Sequence, residues 1–206
     1  LNKFFAKLFK LYDHPNNERK LHKKSTPLTG GLIIILNLIF YCFFLESFNF
    51  DINIFLKKFN YYIFLTTCIV LYLFGVLDDK FSISPNTKFI LLIIIILPII
   101  ILDSNISLSI IRLSFLGQDY YIGNFTIVWT VLCFLLLFNA INMFDGINLQ
   151  VGFYILFVFI FFISNDFNKA FFISLSAGVI SFLILNFSSN SFLGDGGAYL
   201  ISFLLG

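Results

Sequence analysis

Apolar runs long enough to cross a hydrocarbon core recur along the whole chain, and four short polar clusters separate them. The clusters are Asp13 to Lys24, Asp78-Asp79-Lys80, Asn139 to Asn148, and Gly194-Asp195-Gly196-Gly197. Two apolar stretches lie between each consecutive pair, and two crossings return a chain to the side it left. All four clusters are therefore expected on one membrane face. A chain that repeatedly gathers carboxylates, Asn and Gly at one face has a site there.

Of the 206 residues, 59% are hydrophobic and only 12% are charged, where soluble domains carry about a quarter. This excludes an independent soluble module. The expected fold is all-α: a polytopic membrane helix bundle, a single integral-membrane domain over residues 1–206. The spans read as about Leu28–Leu45, Tyr61–Leu77, Thr87–Leu102, Phe125–Phe144, Leu149–Ser164 and Phe167–Phe187, with a further one starting near Ala198. Several are short, which predicts thin or tilted packing. Leu1 to Tyr12 places Lys3, Lys7 and Lys10 at helical spacing, as the end of a lost span or an interfacial helix. The chain starts at Leu1 and stops at Gly206 inside an apolar run, which predicts a fragment truncated at both ends. Between the third and fourth spans, Ile106, Leu108 and Ile110 alternate with Ser107 and Ser109. Gly117-Gln118-Asp119 then turns before Tyr120-Tyr121-Ile122, predicting a small extracytoplasmic β-hairpin. Cys42, Cys68 and Cys133 sit inside apolar runs and read as packing residues.

Lys and Arg set the orientation. Nine lie on the cluster side (Lys3, Lys7, Lys10, Arg19, Lys20, Lys23, Lys24, Lys80, Lys88) and four on the other (Lys57, Lys58, Arg112, Lys169). The cluster face is expected to be cytoplasmic and to carry the active-site cleft.

Asp78-Asp79 places two mutually repelling carboxylates at a span end. They are either a hydrated pair that ends a helix or a site for a hard divalent cation. Asn139, Asn142 and Asp145 recur every three residues and share one helix face. Interhelical hydrogen bonds would account for the two Asn. A carboxylate, which only accepts when ionised, needs a metal or a basic partner. Gly146 permits a tight turn. Gly194-Asp195-Gly196-Gly197 is either a flexible turn or backbone N–H groups presented to an anion at a helix start. Arg19-Lys20, His22 and Lys23-Lys24 satisfy the positive-inside rule and would also clamp phosphate at the membrane surface. Acids for a metal, bases for phosphates and a membrane location together suit phosphoryl transfer from a metal-bound nucleotide to a lipid acceptor.

At these clusters the chain resembles the polyprenyl-phosphate N-acetylhexosamine-1-phosphate transferases, which include the phospho-N-acetylmuramoyl-pentapeptide transferases. Asp13-His14-Pro15-Asn16-Asn17-Glu18-Arg19-Lys20-Leu21-His22 through Pro27 and Gly30-Gly31 matches the first cytoplasmic loop of that family, and Gly75 to Lys80 its double-aspartate motif. Asn139 to Gly146 matches the Asn-rich segment, and Phe192-Leu193-Gly194-Asp195-Gly196-Gly197 is similar to the Phe-Met-Gly-Asp-x-Gly element. The matches follow family order across nearly the whole chain.

The resemblance implies a multi-pass protein of the bacterial plasma membrane that uses Mg2+, or Mn2+ in its place. A UDP-linked amino sugar would give its sugar 1-phosphate to polyprenyl phosphate in the bilayer, releasing UMP and starting a cell-envelope glycan. The loop and the Asn-Met-x-Asp-Gly wording resemble the branch that uses UDP-GlcNAc-type donors. The pentapeptide-using branch and a non-catalytic homologue that binds lipid-linked sugar are the alternatives. On this reading Asp78, Asp79 and Asp145 are catalytic. Asp79 and Asp145 hold the metal, and Asp78 orients or deprotonates the lipid phosphate. Arg19, Lys20, His22, Asn139, Asn142, Asp195 and Gly196 bind substrate. A second copy of the chain is kept as a partner, and nucleic acid is not expected. One departure stands out: the family continues Ile-Asp-Gly-Leu after Asp-Gly, whereas this chain has Ile147-Asn148-Leu149-Gln150. A transporter with midplane acids is the rival of another class, and it would place Asp78, Asp79 and Asp145 at mid-depth.

Overall fold

A computed structural model describes residues 2–9, 11–13, 25–47, 58–113, 115 and 117–206. The helices are α1 (Asn2–Phe9), α2 (Gly30–Ser47), α3 (Lys58–Phe81), α4 (Pro85–Leu102), α5 (Thr126–Phe144), α6 (Gln150–Ser164), α7 (Lys169–Phe187) and α8 (Gly194–Leu205). Five of them, α2, α3, α4, α5 and α7, are long and apolar enough to cross a membrane. The protein is thus a multi-pass membrane protein. At 1.5 Å per residue the 15 residues of α6 reach only about 22 Å, short of a ~30 Å hydrocarbon core.

Two boundaries differ from the sequence expectation, and both concern the polar clusters. The second span does not stop at Leu77: α3 runs on to Phe81 and carries Asp78 and Asp79 in its last turn. The last helix starts at Gly194, not near Ala198, so Asp195 lies in its first turn. In each case the polar residues continue the helix because partners on other helices satisfy them. Ser84 accepts the Thr87 N–H and Pro85 occupies the first turn, which together start α4 after a tight turn.

Helix α8 is the centre of the bundle. Its residues 196–204 are all buried, enclosed by α2, α3 and α5. α7 packs against α2 and α6, and α4 against α3 and α5. Large apolar side chains such as Phe40, Phe43, Ile94, Leu136, Phe157 and Ile184 point outward. That is the arrangement of a bundle whose solvent is hydrocarbon. The described cysteines are free thiols, with Cys42 and Cys68 buried in the core.

The fold is not purely helical, because two small antiparallel sheets accompany the helices. The expected hairpin pairs β3 (Ile110–Leu113) with β4 (Gln118–Tyr121). It begins later than the alternation suggested, since Asp103 caps a 3-10 turn over Ser104–Ile106. The other sheet pairs β1 (Tyr12–Asp13) with β2 (Thr26–Pro27) and brings the two ends of the basic loop side by side. The chain after β2 then lies parallel to the lead-in of α8. Phe192 N–H donates to the Pro27 carbonyl, Gly30 N–H to the Phe192 carbonyl and Gly31 N–H to the Leu193 carbonyl.

Candidate active site

The ends of α3 and α5 and the starts of α4 and α8 meet at one end of the bundle. Asp78 is almost wholly buried, at 2% exposure. Its Oδ2 accepts from Tyr199 Oη at 2.9 Å and pairs with Lys88 Nζ at 2.6 Å. Its Oδ1 accepts the Ile83 N–H at 3.1 Å, which also closes the α3–α4 turn. Both oxygens of this carboxylate are committed, and the cation that repays its desolvation is in place.

Asp79 faces α8. Its two oxygens lie 3.1 and 3.0 Å from the Asp195 backbone N–H, and the Gly196 N–H also donates to it. Asp145 follows the last residue of α5, and the Gly194 N–H reaches its carboxyl. The anion-site reading of the Gly194–Gly197 segment is corrected here. Its first three amides are already directed at the protein's own carboxylates.

Asp195 accepts from Asn142 Nδ2 at 2.6 Å and lies 3.7 Å from Lys88 Nζ. Asn139, one turn before, points elsewhere: it is exposed, and its amide meets Met143 Sδ at 3.6 Å. Gly196 is buried against Tyr72 and Val76, where it lets α8 press on α3. Arg19, Lys20 and His22 fall outside the described residues. Asn148 is used structurally, donating to Ser189 Oγ at 2.7 Å. Beside it the buried Asn186 accepts the Leu149 N–H at 2.6 Å and donates to the Ser191 carbonyl, tying the α5–α6 turn to the approach to α8.

Among the described residues the cluster sets four carboxylates (Asp78, Asp79, Asp145, Asp195) against the ammonium of Lys88. Burial, followed by the charges of Asp195 and Asp79, pushes the Asp145 carboxyl up to about 8. Asp195 is also raised, by burial and then by Asp78, while Asn142 and Lys88 draw it back. Among the described residues no group of three or more His, Cys, Asp or Glu side chains stands ready to cage a metal ion. Mg2+ does not require such a cage, because it keeps several waters and binds through one or two carboxylates plus substrate phosphates. The oxygen donors and the negative excess fit such an ion.

Three participants escaped the sequence reading. Lys88 was visible as a lone charge opening an apolar run but counted only towards orientation. Tyr199 and Asn186 sit within apolar runs and carry no local signal.

The chain belongs to glycosyl transferase family 4, whose profile matches residues 61–206. This bears out the family read from the motifs. Two relatives carry provisional names. One is a Bacillus subtilis protein named as a probable undecaprenyl-phosphate N-acetylglucosaminyl 1-phosphate transferase. It is 29% identical over 198 residues, covering 93% of this chain and 52% of the relative. The other, from Sulfolobus acidocaldarius, is named as a UDP-N-acetylglucosamine–dolichyl-phosphate N-acetylglucosaminephosphotransferase. It is 28% identical over 198 residues, covering 91% of this chain and 59% of the relative. The chain thus spans between half and three-fifths of the length of these relatives.

Proposed function

We propose that the protein transfers N-acetylglucosamine 1-phosphate, or a close amino-sugar 1-phosphate, from its UDP donor to a polyprenyl phosphate. The observation that carries this reading is the meeting of Asp79, Asn142, Asp145, Asp195 and Lys88 at one end of a membrane bundle. Family membership and the substrates named for the two relatives agree with it.

In the reaction an oxygen of the acceptor phosphate attacks the phosphorus that bears the sugar. The phosphoanhydride P–O bond breaks, and UMP leaves with the bridging oxygen and its electron pair. The lipid acceptor approaches from the bilayer and the nucleotide from water, so a site at the helix ends serves both. Lys88, with 28% of its side chain exposed, offers positive charge at the rim. Asn142 fixes the rotamer of Asp195. Asp145 and Asp195 would hold Mg2+, which supplies neutralisation of the diphosphate charge. The product would initiate a cell-envelope glycan, with the site facing the cytoplasm.

Asp78 and Asp79 stand in the last turn of α3, Asp145 just past α5, and Asp195 in the first turn of α8. Acids at helix ends disfavour a carrier with midplane acids.

The test uses membranes of cells that express the protein, with radiolabelled UDP-GlcNAc, Mg2+ and added polyprenyl phosphate. Label should enter the lipid extract with equimolar UMP release, and EDTA should stop it. If no UDP-amino sugar labels lipid, the reading gives way to a homologue that binds lipid-linked sugar without turning it over.

A further inference from the structure

We infer that Asp79 acts as the N-cap of α8, supplied in trans from α3, and so serves as a positioning residue that aims Asp195, not as a reacting acid or metal ligand. The statement about aim rests on the transfer reaction proposed above; the cap itself does not.

A helix start leaves its first amides without intrahelical acceptors, and the residue before it normally provides one. Here that residue is Leu193, whose side chain makes no capping bond. The missing acceptor comes from another helix, where Asp79 takes the Asp195 N–H on both oxygens and also the Gly196 N–H.

The neighbouring residues are shaped to this contact. Gly75 lies one turn before Asp79 on the same face of α3, and a Cβ there would stand 2.3 Å from the Gly196 backbone. A Cβ on Gly196 would meet the Tyr72 carbonyl at 2.9 Å. Tyr72, Gly75 and Asp79 thus form one stripe along which the two backbones touch. Gly194 completes the fit. Its φ of +75° turns the chain into α8, and a Cβ there would strike Asp79 Oδ2 at 2.8 Å.

With the first turn held, Asp195 is set between Asn142 at 2.6 Å and Lys88 at 3.7 Å. The adjacent Asp78 anchors the same helix through Tyr199. The double aspartate thereby fixes α8 at two levels, four residues apart.

Asparagine tests the idea because it caps as well as aspartate but lacks the charge needed to bind Mg2+ tightly or accept a proton. Wild type, Asp79→Asn and Asp79→Ala are compared in three measurements. These are hydrogen exchange of the amides at 195–197 in EDTA, turnover of the transfer reaction, and the Mg2+ concentration for half-maximal rate. Asp79→Asn should keep the amide protection and hold the Mg2+ half-saturation within about threefold of wild type. Asp79→Ala should speed exchange by about tenfold or more and lose turnover. The proposal is overturned if Asp79→Ala leaves exchange unchanged, or if Asp79→Asn loses Mg2+ affinity as fully as Asp79→Ala while keeping protection. If wild type transfers no label, the proposed function fails and the exchange measurement alone decides the cap.

Discussion

Asp78 and Asp145 show how the same residue type takes opposite roles in one cluster. Asp78 has its cation beside it and both oxygens occupied. Lys88→Met would leave a buried carboxylate without a counter-charge and should destabilise the bundle by about 3 kcal/mol, the lower end of the range because the lysine is partly exposed. Tyr199→Phe removes only one donor to a charged acceptor and should cost less, about 1.5–2 kcal/mol. Denaturation in detergent should rank the two in that order, and the reverse order would mean that Tyr199 carries Asp78. Among the described residues Asp145 has no such cation, and its carboxyl is raised to about 8. A carboxyl raised in the folded state holds its proton where the unfolded chain, near 3.9, has lost it. The stability it contributes is complete below the unfolded value and is lost as pH rises through about 8. In metal-free buffer the melting temperature should therefore fall between about pH 5 and 8 more steeply in wild type than in Asp145→Asn. Parallel curves would show that Asp145 is already ionised in the folded protein.

At the scale of elements the contact between α3 and α8 decides the architecture of the site. Gly75→Ala puts a methyl against the Gly196 backbone at 2.3 Å, and backbone cannot rotate aside as a side chain can. It should cost about 1–3 kcal/mol as overpacking, lower the melting temperature and expose the 195–197 amides to exchange. Unchanged melting would mean that the helices stand further apart. The exposed pair Arg112–Asp119, by contrast, should add little to stability despite its short 2.6 Å contact, because water screens it. The helices themselves were legible because apolar runs in a membrane have no other regular form. Their ends at the site were not, because ends were placed where polarity begins. Asp78, Asp79 and Asp195 are polar, yet they remain helical because each finds its partner on another element. The β1–β2 pair was missed for a different reason: strands of two residues show no alternation to read.

At the scale of the whole molecule, the parity of the spans was enough to place together the three clusters that the described residues contain. Each pair of apolar runs returned the chain to one end, where Asp79 now meets Asp195 and Asn142 meets Asp195 across the bundle. Which side chain takes which partner was not legible. Tyr199 and Asp78 are 121 residues apart, and nothing local to either points to the other. The same parity makes a claim about sides. The α3–α4 turn and the β3–β4 hairpin are separated by one span, α4, so they must open on opposite faces of the membrane. The excess of Lys and Arg predicts a cytoplasmic turn. Asn86 in the first turn of α4 and Gln118 in β4 are both exposed, and Cys42 and Cys68 are buried thiols that water-borne reagents do not reach. With Cys133 replaced by Ala, a membrane-impermeant maleimide applied to intact cells should label Gln118→Cys at once. Asn86→Cys should react only after the membrane is opened. Labelling of both from outside would remove the crossing by α4. Labelling of Asn86→Cys alone would turn the protein over and place the carboxylate cluster on the outer face, out of reach of a cytoplasmic nucleotide donor.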